Sequence, residues 1–281
     1  MNKIKENAMK YVFLLTACLS IVSVALICVF LFANGIPGMA KIGFLDFLTG
    51  TKWKPGNDIY GIFPMILGSV YVTAGAIIVG VPIGLLCAIF LARFCPLKLY
   101  KILKPAVNLL AGIPSIVYGF FGLVVIVPII QKAFGGSGKG ILTASILLGI
   151  MILPTIISVT ESSLRAVPEN YYEGSLALGA THERSVFKVV FPAAKSGITA
   201  GVILGVGRAI GETMAVQMVA GNQPIIASKL TSGIRTLTAN ISLEMGYATG
   251  LHREALIATA VVLFVFILII NLCFSLVKKK D

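Results

Sequence analysis

The chain has 281 residues, of which 57% are hydrophobic and only 12% are charged. Soluble globular proteins carry about a quarter charged residues, so this composition excludes an ordinary soluble domain and indicates a protein that lies in lipid. The formal net charge is +12, but the basic residues are scattered over seven loops, whereas a nucleic-acid-binding protein clusters them on one folded face. We therefore expect membrane lipid, and no nucleic acid, around this chain.

Apolar runs long enough to cross a bilayer, roughly 17–25 residues each, occur six times. They cover residues 11–33, 62–92, 105–130, 141–160, 197–220 and 254–277. The first run exceeds the apolar core of a cleavable signal, which has roughly 7–15 residues, so we interpret it as a retained anchor. The second contains Pro64 and Pro82 and is longer than one bilayer thickness, which predicts a helix that is tilted, kinked or partly outside the hydrocarbon. The sequence thus predicts an all-α membrane protein with six transmembrane helices.

The chain divides unevenly into three parts. Residues 1–61 are predicted to form an N-terminal anchor helix and an external segment, residues 62–277 a compact five-helix block, and residues 278–281 a tail. Within the block, the polar loop 221–253 is predicted to contain a short helix that lies at the surface or dips into the vestibule.

Lysine and arginine predict the orientation of the chain in the membrane. With both termini in the cytoplasm, the inside segments hold 14 basic residues in 62 positions and the outside segments hold 8 in 70. Cytoplasmic loops carry an excess of these residues. We therefore expect a multi-pass protein of the cell membrane with cytoplasmic N- and C-termini.

No pattern in the sequence indicates a metal, cofactor or nucleotide site. The five cysteines form no Cys-x-x-Cys pair, and His182 and His252 are predicted to be isolated, solvated loop residues. The glycine-rich stretch 135–140 lacks the Ser or Thr that follows Gly-Lys in a phosphate-binding loop. The spans also lack a catalytic pair for an intramembrane protease. The chain is therefore expected to be no enzyme, to need no cofactor, and to receive its energy from another subunit.

The polar loop 161–196 separates the fourth and fifth runs and has strong local signals. Pro168 favours the first turn of a helix, and Gly179 favours a left-handed cap at its end. Thr181 is a candidate N-cap for a second helix. Gly174 and Ala177 would give the first helix a small-residue face that another protein can approach closely.

This loop resembles the EAA loop of ATP-binding-cassette importer permeases. Its segments read Glu-Gly-Ser-Leu-Ala-Leu-Gly over 173–179 and Val-Val-Phe-Pro over 189–192. Gly174 and Ser175 stand where that family usually has alanines, and Val189 and Phe191 replace its Ile and Leu. The resemblance implies a type I importer permease, with a five-helix core behind family-specific additions, that is driven by a separate ATPase. It assigns the contact with that ATPase to Glu173, Gly174, Ser175, Ala177, Gly179 and Pro192.

The fifth run contains two charged residues, Arg208 and Glu212. A charge at mid-bilayer costs roughly 3 kcal/mol on insertion scales, so it calls for a partner or a function. On one continuous helix the two charges would fall within an arc of about 80° together with Gly197, Gly201 and Gly205, a face where helices or a cavity approach. One interpretation is a structural i,i+4 salt bridge. The other is an anion site, in which Arg208 attracts a tetrahedral oxyanion and Glu212 favours one that keeps a proton.

Two segments narrow the resemblance to PstC-type phosphate permeases. One is residues 208–216, Arg-Ala-Ile-Gly-Glu-Thr-Met-Ala-Val, followed by Gly221 and Asn222; the other is Trp-Lys-Pro at 53–55 with Tyr-Gly-Ile-Phe-Pro at 60–64. The resemblance implies that inorganic phosphate is the cargo and that Arg208 and Glu212 are functional. It also implies a heterodimer with a PstA-type permease, a PstB-type ATPase dimer and an external PstS-type phosphate-binding protein.

Other readings of the same pattern stay open. They are a permease for molybdate or sulfate, the PstA-type partner itself, and an anion transporter that needs no ATPase.

Overall fold

Long helices dominate the computed structural model, which describes residues 3–279. The helices are α1 (Lys3–Ile42), α2 (Phe44–Thr49), α3 (Phe63–Ile89), α4 (Leu97–Gly112), α5 (Ser115–Phe121), α6 (Val127–Phe134), α7 (Ile141–Arg165), α8 (Glu169–Ala177), α9 (His182–Ser185), α10 (Phe191–Ala193), α11 (Lys195–Gly211), α12 (Met214–Val219), α13 (Leu237–Glu244) and α14 (Gly250–Lys279). Strands β1 (Trp53–Lys54) and β2 (Ile59–Tyr60) form an antiparallel hairpin. Three π-helical segments, Phe90–Phe94, Gly122–Ile126 and Val186–Val190, continue α3, α5 and α9.

Five helical stretches of residues 3–279 are long and apolar enough to cross a membrane. They are Lys5–Ile42, Phe63–Phe94, Ser115–Phe134, Ile141–Arg165 and Gly250–Cys273. A sixth is reached if the pair His182–Ala193 and Lys195–Gly211, which is bent by 71°, counts as one span. The prediction of a multi-pass, all-α membrane protein is therefore confirmed.

The predicted bounds of the third span, residues 105–130, are wrong. α4 ends at Gly112, and α5 begins only at Ser115. Ile113 is extended, with φ −69° and ψ 127°, because the ring of a following proline, here Pro114, disfavours the helical conformation of the residue before it. The span accordingly runs from Ser115 to Phe134, and residues 105–112 belong to α4.

α7 packs between α3 and α11, and glycines on both neighbours allow very close approach. A Cβ atom on Gly80 of α3 would lie 2.8 Å from the carbonyl oxygen of Gly149 on α7, and one on Gly84 would lie 2.9 Å from Ile156 Cγ2. From the other side, a Cβ on Gly205 of α11 would lie 2.9 Å from Ile156 Cγ1. Small residues at helix contacts are how membrane helices gain packing energy, because lipid supplies little hydrophobic drive between them. These contacts fix the spacing of the three helices.

At one end of α3, a buried carboxylate joins the hairpin, the segment before α13 and the start of α14. Glu244 is 6% exposed. Its oxygens accept hydrogen bonds from Trp53 Nε1 at 2.9 Å and from Arg235 Nη1, and His252 Nε2 lies 2.8 Å away. The prediction that His252 is an isolated, solvated residue is therefore wrong. Its ring pairs with Glu244, which lies on α13. Burial raises the pKa of Glu244, but the hydrogen bonds from Trp53, His252 and Arg235 outweigh it, and the net pKa lies below the ordinary value.

The glycine contacts predict that replacing glycine by alanine has opposite effects on stability at two positions. Gly80→Ala places a methyl group against a backbone carbonyl that cannot swing away, which costs about 1–3 kcal/mol, more than the roughly 1 kcal/mol that alanine gains in helix propensity. Gly207 of α11 has no neighbouring atom within 4 Å of its Cβ position, so Gly207→Ala keeps only the gain. The thermal midpoint of the detergent-solubilised protein should fall for the first variant and hold or rise for the second. Equal midpoints would contradict the packing argument.

The buried carboxylate predicts a pH-dependent loss of stability. Because its pKa is lowered in the folded state, Glu244 contributes stability that is complete above its ordinary value of 4.5 and lost as the pH falls through the folded-state value. Glu244→Gln should therefore cost about 3 kcal/mol near neutral pH, and the difference from wild type should shrink in acid. Glu254→Gln, which breaks the more exposed pair with Lys41, should cost less than about 1 kcal/mol. Thermal unfolding of both variants between pH 7 and pH 4 measures the difference.

Candidate functional site

The fifth apolar run is broken at its charged residues. α11 ends at Gly211, α12 begins at Met214, and Glu212 between them is extended, with φ −69° and ψ 126°. The prediction of one continuous helix over residues 197–220 is therefore wrong, and with it the predicted i,i+4 placement of Arg208 and Glu212 on one helical face. A glycine in a helix interior destabilises the helix by roughly 1 kcal/mol relative to alanine. Ending the helix at Gly211 therefore sacrifices little helix stability.

Glu212 itself stabilises the break. Its Oε1 accepts hydrogen bonds from the backbone amides of Thr213 and Ala215, both at 3.2 Å. Thr213 directly precedes α12 and Ala215 lies in its first turn, where backbone amides have no intrahelical acceptors. The side chain thus caps α12 with one oxygen. Among the described residues, the other oxygen, Oε2, has no hydrogen-bond donor, so it is available to a ligand.

Arg208 of α11 contacts α7. Its Nη1 donates to Thr155 Oγ1 at 3.4 Å, and the side chain is half-buried. The ion pairs within residues 3–279 do not include one between Arg208 and Glu212. In this conformation the guanidinium therefore keeps donors that no carboxylate occupies.

The segment between α12 and α14 reaches the same break. α13 confirms the prediction of a short helix within residues 221–253. Thr238 near its start donates from Oγ1 to the carbonyl oxygen of Glu212 at 3.2 Å. Hydroxyls of Thr155 from α7 and Thr238 from α13 thus lie near the charged residues of α11 and the break. Only the Thr155 hydroxyl is hydrogen-bonded to the guanidinium in the described residues, and a guanidinium with a hydroxyl beside it is suited to bind an oxyanion.

The loop between α7 and α11 has the predicted local structure. α8 begins directly after Pro168, Gly179 follows it with φ +86°, and Thr181 caps α9 by accepting from the amide of Arg184. These three predictions are confirmed.

The residues that the resemblance assigns to an ATPase contact lie mostly on the surface of this loop. Glu173, Gly174, Ala177, Gly179 and Pro192 are exposed. Ser175 is half-buried and hydrogen-bonded to the hydroxyl of Ser185 on α9.

An exposed apolar residue adjoins this surface and was not singled out from the sequence. The side chain of Leu178 is 92% exposed, at the tip between α8 and α9. A Cβ atom on Gly174 would meet no atom within 4 Å, so the small-residue face of α8 is open. Exposed apolar side chains beside an open small-residue face are typical of a protein contact.

His182 is built into the loop, so the prediction that it is an isolated, solvated residue is wrong. Its Nδ1 lies 2.7 Å from the hydroxyl of Tyr172 on α8, and its ring centre is 4.6 Å from that of Phe94. The two short helices of the loop therefore form one unit that also contacts the end of α3.

Charged residues at the base of the loop form a network that sequence reasoning missed. Glu161 of α7, 2% exposed, accepts from Lys104 at 2.7 Å, from Arg165 at 2.9 Å and from the Tyr100 hydroxyl at 2.7 Å. Only the i,i+4 spacing of Glu161 and Arg165 was visible in the sequence. The described residues contain no group of three or more His, Cys, Asp or Glu side chains placed to hold a metal ion.

Comparison with known families gives a match over most of the chain. The family described as binding-protein-dependent transport system inner membrane component has a model that matches residues 80–280. The probable ABC transporter permease protein YqgH of Bacillus subtilis is 38% identical over 272 residues, covering 92% of this chain and 88% of the relative. The phosphate transport system permease protein PstC of Mesorhizobium japonicum is 37% identical over 275 residues, covering 90% and 84%. PstC of Haemophilus influenzae is 34% identical over 280 residues, covering 92% and 89%.

Solved structures share the fold at lower identity. A crystal structure of an amino acid ABC transporter superposes with a TM-score of 0.58 at 19% identity, covering 78% of this chain and 94% of that chain. An inward-facing structure of the MetNI methionine ABC transporter gives 0.57 at 22% identity with the same coverage. These likenesses confirm the prediction of a type I ABC importer permease fold.

Proposed function

We propose that this chain, which belongs to the family of binding-protein-dependent transport system inner membrane components, is the transmembrane permease subunit of an ATP-driven phosphate importer. The similarity to phosphate permeases over about nine-tenths of the chain carries the proposal. The chain itself is a transporter subunit and carries no catalytic role.

Arg208 and Glu212 are proposed to line the path of the anion at the helix break. The guanidinium offers a planar fork of donors to phosphate oxygens, and Thr155 adds a hydroxyl beside it. Phosphate near neutral pH keeps at least one proton, which it can donate to the unoccupied Oε2 of Glu212. Sulfate has no proton to donate there. The arrangement therefore attracts tetrahedral anions through Arg208 and prefers the protonated one through Glu212.

The loop that contains α8 and α9 is proposed to lie in the cytoplasm and to receive a separate ATPase, in which ATP hydrolysis occurs. Its contact residues are Glu173, Gly174, Ser175, Ala177, Gly179 and Pro192. The exposure of all of these except the half-buried Ser175, the open face of α8 and the exposed Leu178 support this contact.

The proposed assembly and domains follow the family pattern. The partners are a PstA-type permease as the second half of the path, a PstB-type ATPase dimer and an external PstS-type phosphate-binding protein. Residues 62–277 are proposed as the permease core, and residues 1–61 as the anchor helix and external segment. The tail 278–281 is proposed to be cytoplasmic, like the N-terminus; its residues 280 and 281, and residues 1 and 2, lie outside the described part.

Arg208→Ala tests the proposed path. Losing a hydrogen bond to a charged group costs about 1.5–3 kcal/mol, so ATP-dependent phosphate uptake at low phosphate should fall at least about tenfold. The measurement uses proteoliposomes that hold both permeases and the ATPase, with the binding protein outside. Arg253→Ala, an exposed arginine whose side chain has no partner in the described residues, should transport like wild type. Unchanged uptake by Arg208→Ala would remove Arg208 from the path, and uptake without any ATPase would indicate a secondary transporter.

Glu212→Gln separates the charge of Glu212 from its capping role. Glutamine keeps the oxygen that accepts from Thr213 and Ala215, so the break should persist, while the acceptor for a phosphate proton is weakened. In proteoliposomes with both permeases and the ATPase, but with the binding protein left out so that it does not select the cargo, the preference for phosphate over sulfate at saturating anion should fall. Preference equal to that of wild type would eliminate proton recognition by Glu212.

A further inference from the structure

Arg93, in the π-helical segment at the end of α3, contacts three residues on two other helices with one guanidinium. Nη1 lies 2.9 Å from Glu169 Oε2 at the start of α8, and Nη2 donates to the carbonyl oxygen of Leu164 on α7 at 3.1 Å. The guanidinium carbon also lies 5.6 Å from the centre of the Tyr172 ring on α8. The Arg93 side chain is only 11% exposed, whereas that of Glu169 is 56% exposed, so the ion pair is shielded from water on its arginine side and open to solvent on its carboxylate side.

The next residue extends the same contact to the second half of the loop. The Phe94 ring lies 4.6 Å from the His182 ring on α9 and 6.4 Å from Phe187. His182 in turn is hydrogen-bonded to Tyr172. The end of α3 therefore contacts α8 and α9 as one unit.

A second arginine, Arg165, also joins the ends of α3 and α7, but its partners in the described residues do not include α8 or α9. Arg165 at the end of α7 donates from Nη2 to the carbonyl oxygen of Leu91 on α3 at 2.8 Å. Its other partners are Glu161 at 2.9 Å and the Tyr100 ring at 4.5 Å, on α7 and α4. Both arginines thus join the ends of α3 and α7, but only Arg93 continues to α8.

One donor of Arg93 is left over. Its Nε is buried and has no hydrogen-bond partner within the described residues. Buried donors in native proteins are nearly always paired. The contacts with α7 and α8 therefore leave part of the hydrogen-bonding capacity of this guanidinium unused.

We propose that Arg93 is a positioning residue that transmits displacement of the α8–α9 unit to α3, and so couples ATP hydrolysis to movement of the transmembrane helices. This inference rests on the proposed function, since it requires an ATPase on that unit. When the ATPase moves α8, the pair of Glu169 with Arg93 pulls on the end of α3. α3 is held to α7 by its glycine contacts, so the displacement passes into the helix that carries Thr155. Loss of Arg93 leaves the ATPase contact intact and removes the ion pair between α8 and the end of α3, leaving the ring contacts of Phe94 to join that end to the α8–α9 unit.

The test measures ATP hydrolysed per phosphate transported by the complete complex in proteoliposomes. Arg93→Gln should raise this ratio at least about fivefold, the lower end of typical coupling between sites. Arg93→Lys, which retains the charge for Glu169 but not the planar fork that also reaches Leu164, should give an intermediate ratio. Glu169→Ala removes the same ion pair from the exposed side of the contact, where folding is less at risk, and should raise the ratio as well. Arg165→Gln is the matched control, because its partners all lie on α3, α4 and α7, and it should lower the amount of assembled complex without changing the ratio.

Two results would overturn the inference. One is a wild-type ratio in assembled complexes of both Arg93→Gln and Glu169→Ala. The other is an equal rise for Arg165→Gln, which would make any disturbance of the helix ends sufficient. Failure of the proposed function has a different signature, since the wild-type complex would then show no ATP-dependent phosphate uptake.

Discussion

Close packing of α7 between α3 and α11 is the constraint on which the rest of the structure depends. Glycines face α7 from both neighbours, and a Cβ atom on Gly80 would lie 2.8 Å from a backbone oxygen that cannot move aside. The contact holds both ends of α7 in place. Toward the middle of α7, Thr155 faces Arg208; at its end, Glu161 and Arg165 form the base of the loop. The helix break and the loop are therefore positioned by one packed unit.

α11 gives a direct mechanical route between the loop and the break. It begins at Lys195, just after α10 of the loop, and stops at Gly211. Its 17 residues span about 25 Å at 1.5 Å per residue. The route through Arg93 and α3 runs on the other side of α7. A displacement of the loop would thus reach Arg208 along its own helix and reach Thr155 through the neighbouring ones, so the two sides of the proposed anion site would move relative to each other.

Local signals in the sequence predicted local structure well. Pro168, Gly179 and Thr181 each act on the backbone within a few residues, so the two loop helices could be placed from the sequence. Six apolar runs were enough to predict the membrane fold, because bilayer thickness sets the length of a span. Arg208 and Glu212 could be singled out from the sequence because charged residues are unusual within an apolar run.

Features that depend on competition or on distant partners could not be predicted in this way. The break at Glu212 arises because its carboxylate caps α12, an alternative to the helix that hydropathy does not register. His252 was expected to be solvated because the sequence does not indicate that the turn between α13 and α14 brings it next to Glu244. Arg93 received no role because Glu169 and Leu164 are more than seventy residues away in sequence.

The end of α1 packs against a helix that is synthesised much later. Gly38 and Lys41 contact Glu254 of α14, which lies 213 residues after Lys41. At about 5–20 residues synthesised per second, α14 follows α1 by roughly 10–40 s, so α1 must remain in the membrane for that time without the helix against which its end finally packs.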